Sequence, residues 1–281
     1  MHLRPAAIAR LNFRLLCGPE MSTLLAFDSA TEHLSVAVAA HGRIEVHESP
    51  GGATASAALV PAILALLDRA GVALADLDAI VFGSGPGAFT GLRTACSVAQ
   101  GLALGAGKPV LPVHTLLAIA QDAIAQDAIA EDARTAGDGA TAVWALLDAR
   151  MNEIYAARYA YDGRRWSTLD APMLTTPDAL NARWEAEPPQ HVAGNALEAF
   201  GERLQAGAAR RSPAALPRAT ALLALAPALL EDGGAVDAAL ALPLYVREKV
   251  AQTTAEREAA RAAKLAAPPS AEHALNVGSD R

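Results

Sequence analysis

A carboxylate, two hydroxyls and a glycine-rich loop are spaced along the first third of the chain as a phosphate site would need them. Asp28, Ser29 and Thr31 follow the apolar run 24–27, and Gly83, Ser84, Gly85 and Gly87 follow the apolar run 79–82. Thr90 or Gly91 then opens a helix. Alternating glycines allow backbone conformations closed to other residues, and a helix start leaves N–H groups unsatisfied, so this loop suits a phosphate or another backbone. Asp148 follows a later strand, 143–147, and is the second acidic turn residue. The competing reading is that Asp and Ser merely close turns through local hydrogen bonds. Gly194-Asn195, as a remnant adenosine loop, is too short to decide between them.

Other chemistry is sparse. The histidines at 2, 33, 41, 47, 114, 191 and 273 show no metal-ligand spacing, so no catalytic metal is expected. Cys17 and Cys96 give no disulfide framework, and Cys96 reads as core, which points to a reducing cytoplasm. No Ser-His-Asp spacing supports a protease. A net charge of −7 argues against unaided binding to nucleic acid, which needs cations to displace counterions. No apolar run reaches the roughly 18–20 residues a bilayer requires. With 52% hydrophobic residues, the 281-residue chain has ample material for a large core or two lobes.

The positioning elements alternate between strand and helix. Strands at 24–27, 34–39 and 44–47 form a meander, followed by a helix over about 56–69 whose residues 57–67 carry no polar side chain. Pro61 belongs in a first turn, which moves the expected start of that helix toward Val60. Strand 79–82, the glycine loop, a helix over 91–106 and a strand at 108–113 complete an α/β pattern. Both helices are apolar or small on every face, and one sheet covers only one face. The expected partner interface is therefore Leu59, Val60, Ile63, Leu64, Leu67, Arg93, Ser97, Val98 and Gly101.

Ala-Ile-Ala-Gln-Asp begins at 118, 123 and 128, with Glu replacing Gln in the last copy. Five residues turn a helix by about 140° net, so Ile119, Ile124 and Ile129 cannot share one stripe. The repeat therefore reads as a dispensable lengthening of a surface helix or loop, with 133–141 a linker. Beyond it, strand 143–147, Asp148 and a returning strand 154–160 echo the first meander. Residues 161–215 are mixed, with a short strand at 191–193 and a helix after Asn195; 219–231 is a helix, and 242–246 precedes a basic segment.

Five blocks, residues 25–38, 83–93, 99–103, 148–155 and 243–247, resemble in order the TsaB (YeaZ) family. The resemblance spans about 22–250 and implies a two-lobed, actin-like/Hsp70-like ATPase (ASKHA) fold. It implies a partner-binding first lobe 22–115 and a second lobe 116–250; the extension 1–21 lies outside the family pattern, with Met21 the expected start because Leu24 begins the first convincing strand, and the Ala-rich, charge-mixed tail 251–281 reads as disordered. The resemblance implies a non-catalytic, cytoplasmic subunit that binds TsaD, the enzyme transferring threonylcarbamoyl to N6 of the adenosine beside the anticodon. TsaE and tRNA join through the complex, and the isolated chain can form a homodimer. In active members of the fold, the positions of Asp28, Ser29, Thr31, Gly83 to Gly87 and Asp148 surround ATP phosphates and magnesium. Here the resemblance implies vestigial loops and no tightly bound cofactor, with a subunit junction left open to nucleotide. The alternative is an active kinase or ATPase dependent on Asp28. The sequence departs from the family in having Ala55-Ser56 where many relatives carry His then Ser or Thr, and in having Ala88 for the usual Ser.

Overall fold

The structure, a computed structural model, describes residues 22–130 and 141–247. The expectations for the extension, the linker and the tail fall outside them. Apolar alternation in β1 (Leu24–Asp28) puts Leu25 and Phe27 on one face of a sheet and Leu24 and Ala26 on the other, all fully or almost fully buried. β2 (His33–Ala40) and β3 (Arg43–Pro50) pair antiparallel beside it, with Leu25 opposite Val38 and Ala37 opposite Val46. β4 (Ala79–Gly85) and β5 (Val110–His114) add in parallel on the other side, giving the order β3-β2-β1-β4-β5.

The outer face of this sheet is covered by α1 (Ala55–Ala70) and α2 (Phe89–Ala106). α1 starts at Ala55 and not near Val60, so Pro61 lies in its interior. The ring has no N–H to donate to the carbonyl of Ala57, and the helix tolerates this because Ala57 and Pro61 both face outward, where water can take that carbonyl.

α3 (Thr115–Ala130) leads to a second sheet built from β6 (Thr141–Asp148), β7 (Ile154–Tyr161), β8 (Trp166–Thr175), β9 (His191–Ala193) and β10 (Arg210–Ser212). Its order, β10-β9-β6-β7-β8, repeats the first in both pairing and direction. α4 (Pro177–Ala186) and α5 (Ala196–Phe200) cover its outer face through Leu180, Trp184, Leu197 and Phe200. α6 (Ala219–Glu231) closes the series. The element order β-β-β-α-β-α-β-α thus occurs twice, and the expected recurrence of strand, Asp, turn and strand is its visible trace.

The third helix of each set lies on an inner sheet face. α3 packs on β6 and β7 through Leu116, Ile119, Ala120 and Ala123, whereas α6 packs on β1, β2 and β4 through Leu222, Leu225 and Ala226. Consequently the expected second lobe, 116–250, is corrected: residues 219–231 return to the first sheet, and Ala238 and Ala241 enter the core under α1 and α2.

The first two copies of the repeat are likewise no surface feature. Between the sheets α3 is buried or half-buried on all sides from Thr115 to Ala123, so it needs no single apolar stripe. Its first copy places Gln121 to accept from the Trp166 indole at 2.7 Å and buries Asp122 against the Leu216 N–H, Gln126 and the Arg218 guanidinium. Its second copy, about 140° around the helix, points Asp127 at Arg210, 3.0 Å away. The same rotation that excludes one stripe lets identical residues address two different neighbours.

Candidate functional site

The carboxyl ends of β1 and β6 are equivalent positions, beside the point where strand order diverges, and there open α/β sheets bind their ligands. Each ends in Asp. Each Asp closes its turn in the same manner: Asp28 Oδ1 accepts from Ala30 N at 2.7 Å and Asp148 Oδ1 from Arg150 N at 2.8 Å. Both are the local hydrogen bonds that favour Asp in turns.

Asp28 is fully buried, with Oδ2 accepting from the Thr115 hydroxyl at 3.3 Å. Burial pushes its carboxyl up to about 7, against weaker lowering by the Ala30 amide, Thr115 and His33. Thr115, at the start of α3, also accepts from Gly85 N at 3.1 Å and is a site residue that in sequence reads only as a helix cap. Ser29 donates to the Gly91 carbonyl, Ser84 to the Val113 carbonyl and Thr31 to the His33 carbonyl. Every predicted loop hydroxyl is therefore bonded within the chain.

Of the two roles open to the glycine loop, close approach of another backbone is the one visible. A Cβ at Gly83 would stand 1.7 Å from Asp28 Oδ2, one at Gly87 2.5 Å from the Ala30 carbonyl oxygen and one at Gly91 1.9 Å from that of Ser29. Ala88 N donates to the Ala30 carbonyl at 2.8 Å, pinning the loop to the β1–β2 turn. The second half repeats the device. At Gly194 a Cβ would lie 2.0 Å from the Leu146 carbonyl oxygen, and Asn195 accepts from Asp148 N at 2.9 Å.

Between the two acidic turns lies a residue that sequence reading missed as a site member, Arg150. Its guanidinium reaches Asp148 Oδ2 at 3.2 Å and, across to the first half, Glu32 Oε1 at 3.0 Å. The turn that holds it is strained, with Arg150, Met151 and Asn152 all left-handed at φ 61°, 54° and 64°.

The predicted partner residues divide. Leu59, Ile63 and Leu67 are buried against the first sheet, and assigning them to an interface is corrected: they are the chain's own core. Val60, Leu64, Ser97 and Gly101 face outward, and Val98 is half-buried against the core. Arg93 is exposed but engaged, lying 3.8 Å from the Phe89 ring and donating to the Tyr245 hydroxyl at 3.0 Å. Tyr245 belongs to the segment 241–246, which crosses α2. There Cys96 and Gln100 donate to the Ala241 carbonyl, and Leu244 N donates to the Ser84 carbonyl at 2.7 Å.

Elsewhere, Ser212 Oγ and His191 Nε2 lie 2.8 Å apart, with Asp127 3.6 Å from His191 Nδ1. This row escaped sequence reading because its members are far apart in the chain. Burial and then Arg210 push the imidazole down to about 4, a weak base, while Arg210 pairs with the carboxylate. Among the described residues, no three His, Cys, Asp or Glu side chains converge as a metal site, and no helix is long and apolar enough to cross a membrane.

Two sheets of the same order, with paired Asp turns at the carboxyl ends of their central strands, define an actin-like (ASKHA) α/β protein. The family model for TsaD, tRNA N6-adenosine threonylcarbamoyltransferase, matches residues 36–255. TsaB of Escherichia coli (strain K12), a tRNA threonylcarbamoyladenosine biosynthesis protein, is 32% identical over 232 residues, 81% of this chain and 96% of the relative. TsaB of Haemophilus influenzae is 34% identical over 168 residues, covering 57% and 66%. The solved structure of YeaZ from Pseudomonas aeruginosa superposes with a TM-score of 0.68 at 38% identity, covering 80% of this chain and all of the other. The chain belongs to the TsaB (YeaZ) family, as its five sequence blocks imply.

Proposed function

We propose that this chain is a non-catalytic subunit in the formation of tRNA threonylcarbamoyladenosine, and that it binds the transferase TsaD through the outer face of α1 and α2. One observation carries the reading. Of the nine exposed large apolar residues among those described, seven (Val60, Leu64, Phe89, Leu104, Leu240, Leu242 and Tyr245) lie on α1, α2 or the segment packed beside α2. No charged residue occurs over 57–67 or 94–107. An apolar surface concentrated in this way marks an interaction site.

Glycines support it independently. Gly101 and Gly105 lie inside α2, where each costs roughly 1 kcal/mol relative to Ala. A Cβ at either would meet nothing within 4 Å, so the chain's own packing does not require them. Two exposed interior glycines on one helix face suit the close approach of another backbone, a partner helix. TsaD, whose family model this chain matches, is the partner proposed, and tRNA, which the relatives' names carry, and TsaE, which the resemblance implies, join through the assembly.

The test is co-purification with TsaD from the same organism, followed by threonylcarbamoyl transfer to tRNA in a reconstituted reaction with and without this chain. The reading expects a stable complex, modification that depends on adding the chain, and no activity from the chain alone. Modification that proceeds equally without it would refute the reading.

A further inference from the structure

Active members of this fold hold phosphates and a divalent cation between the two acidic turns, and the residues present do not fit that group. Asp28 is sealed beneath Gly83 and bonded to Ala30 N and Thr115, so neither carboxylate oxygen turns outward to a metal. The glycine loop has the backbone of residues 29–30 on one side and the Leu244 carbonyl on the other, 2.8 Å from where a Cβ at Gly85 would stand. Asp148 of the second turn and Glu32 of the first are bridged by one guanidinium.

We infer that Arg150 takes the place of the divalent cation: a charge carried by the chain itself joins the acidic turns of the two halves, and it closes this cleft to a metal–nucleotide. The backbone N–H and Nη1 of Arg150 occupy the two oxygens of Asp148, while Nη2 reaches Glu32. Arg150 makes both contacts to Asp148 from a left-handed backbone, φ 61°. A guanidinium presents its donors as a planar fork, the geometry suited to spanning two carboxylates, and unlike a metal it is tethered to the chain, although its pair with Glu32 is largely exposed. The claim concerns this chain's own cleft and is independent of how it binds TsaD.

The probe is Mn2+, followed by the spin-resonance signal of the free ion, with Mg–ADP titrated by calorimetry in parallel. The full-length chain is expected to bind neither saturably at millimolar concentration. Arg150→Ala, which bares Asp148 and Glu32, is expected to gain one Mn2+ per chain, binding roughly tenfold or more tighter than any to the parent. Adding Asp148→Asn should abolish that gain, and Arg150→Lys should show none. Circular dichroism establishes that each variant is folded, and Arg150→Gln replaces the alanine variant if it is not. Stoichiometric binding of Mn2+ or Mg–ADP by the parent chain, lost on Asp148→Asn, overturns the inference. So does a folded Arg150→Ala chain that takes up no Mn2+. Gel filtration with TsaD, run on the same variants, reports separately on the interface, to which Arg150 does not contribute.

Discussion

Replacing Asp28 with Asn should stabilise the protein increasingly as pH rises. Asp28 carries its proton up to about pH 7 in the folded state, whereas its ordinary value is 3.8. Between those values the folded chain binds the proton that the unfolded chain has released, so stability falls as pH rises through the window and levels off above it. The slope is at most about 1.4 kcal/mol per pH unit, which makes the ionisation cost about 2 kcal/mol at pH 5.5 and about 4 kcal/mol above pH 7. Asn occupies the same volume, keeps an oxygen for Ala30 N and lacks the ionisation. Any fixed cost of the exchange is the same at every pH, and other titrating groups are common to both chains. Urea unfolding of the two chains at pH 5.5, 6.5, 7.5 and 8.5 should therefore show their difference moving by about 2 kcal/mol in favour of Asn across the series. A difference that stays flat would sink the reasoning. One that moves in favour of Asp would show a carboxylate held ionised by a cation, reviving the ATPase reading.

Leu64→Asp and Leu104→Asp, on the outer face, should fold with unfolding midpoints close to the parent and lose the TsaD complex in gel filtration, whereas Ile63→Asp, which buries a charge in the first core, should fail to fold by circular dichroism. Gly101→Ala should raise stability by roughly 0.5–1 kcal/mol in urea and at the same time weaken the complex, a combination that no purely intramolecular role for the glycine predicts. Asp122→Ala strips a buried carboxylate from Arg218, Gln126 and the Leu216 amide and should cost about 3 kcal/mol; a loss below about 0.5 kcal/mol would return the repeat to the dispensable surface element its sequence suggests.

What the sequence made legible were the elements marked by local apolar runs and by the turn residues that end them. The residues of β1, β2 and β4, the span 219–231 and the recurrence of a strand-Asp-turn-strand unit could be read from apolar runs and turn residues alone. β8 was missed because it is an edge strand, half exposed, with Pro172 beside an irregular stretch of its pairing to β7. β10, with three residues and two arginines, has no pattern to find. α1 shows a different limit. Its two apolar faces, one with Leu59 and Ile63 and the other with Val60 and Leu64, are alike in composition, and only the position of the sheet decides which is core. The same holds for α6, whose apolar character is plain but whose destination, the first sheet, is a matter of tertiary folding.

Glycine brings these threads to one physical criterion: what its missing Cβ would meet. At 83, 87, 91 and 194 the answer is a carboxylate or carbonyl oxygen of this same chain, between 1.7 and 2.5 Å away, so these glycines are fully explained by the fold and need no phosphate. At 101 and 105 the answer is open space, on the face where the exposed leucines gather. A helix does not retain two interior glycines cheaply, and nothing within this chain repays them. In sequence both sets look equally like punctuation in a glycine-rich stretch. In the fold the first set admits a carboxylate or backbone of this same chain, and the second leaves open the surface to which the proposed partner helix would bind. The closed cleft and the interface proposed above thus rest on the same residue type, read by what surrounds it.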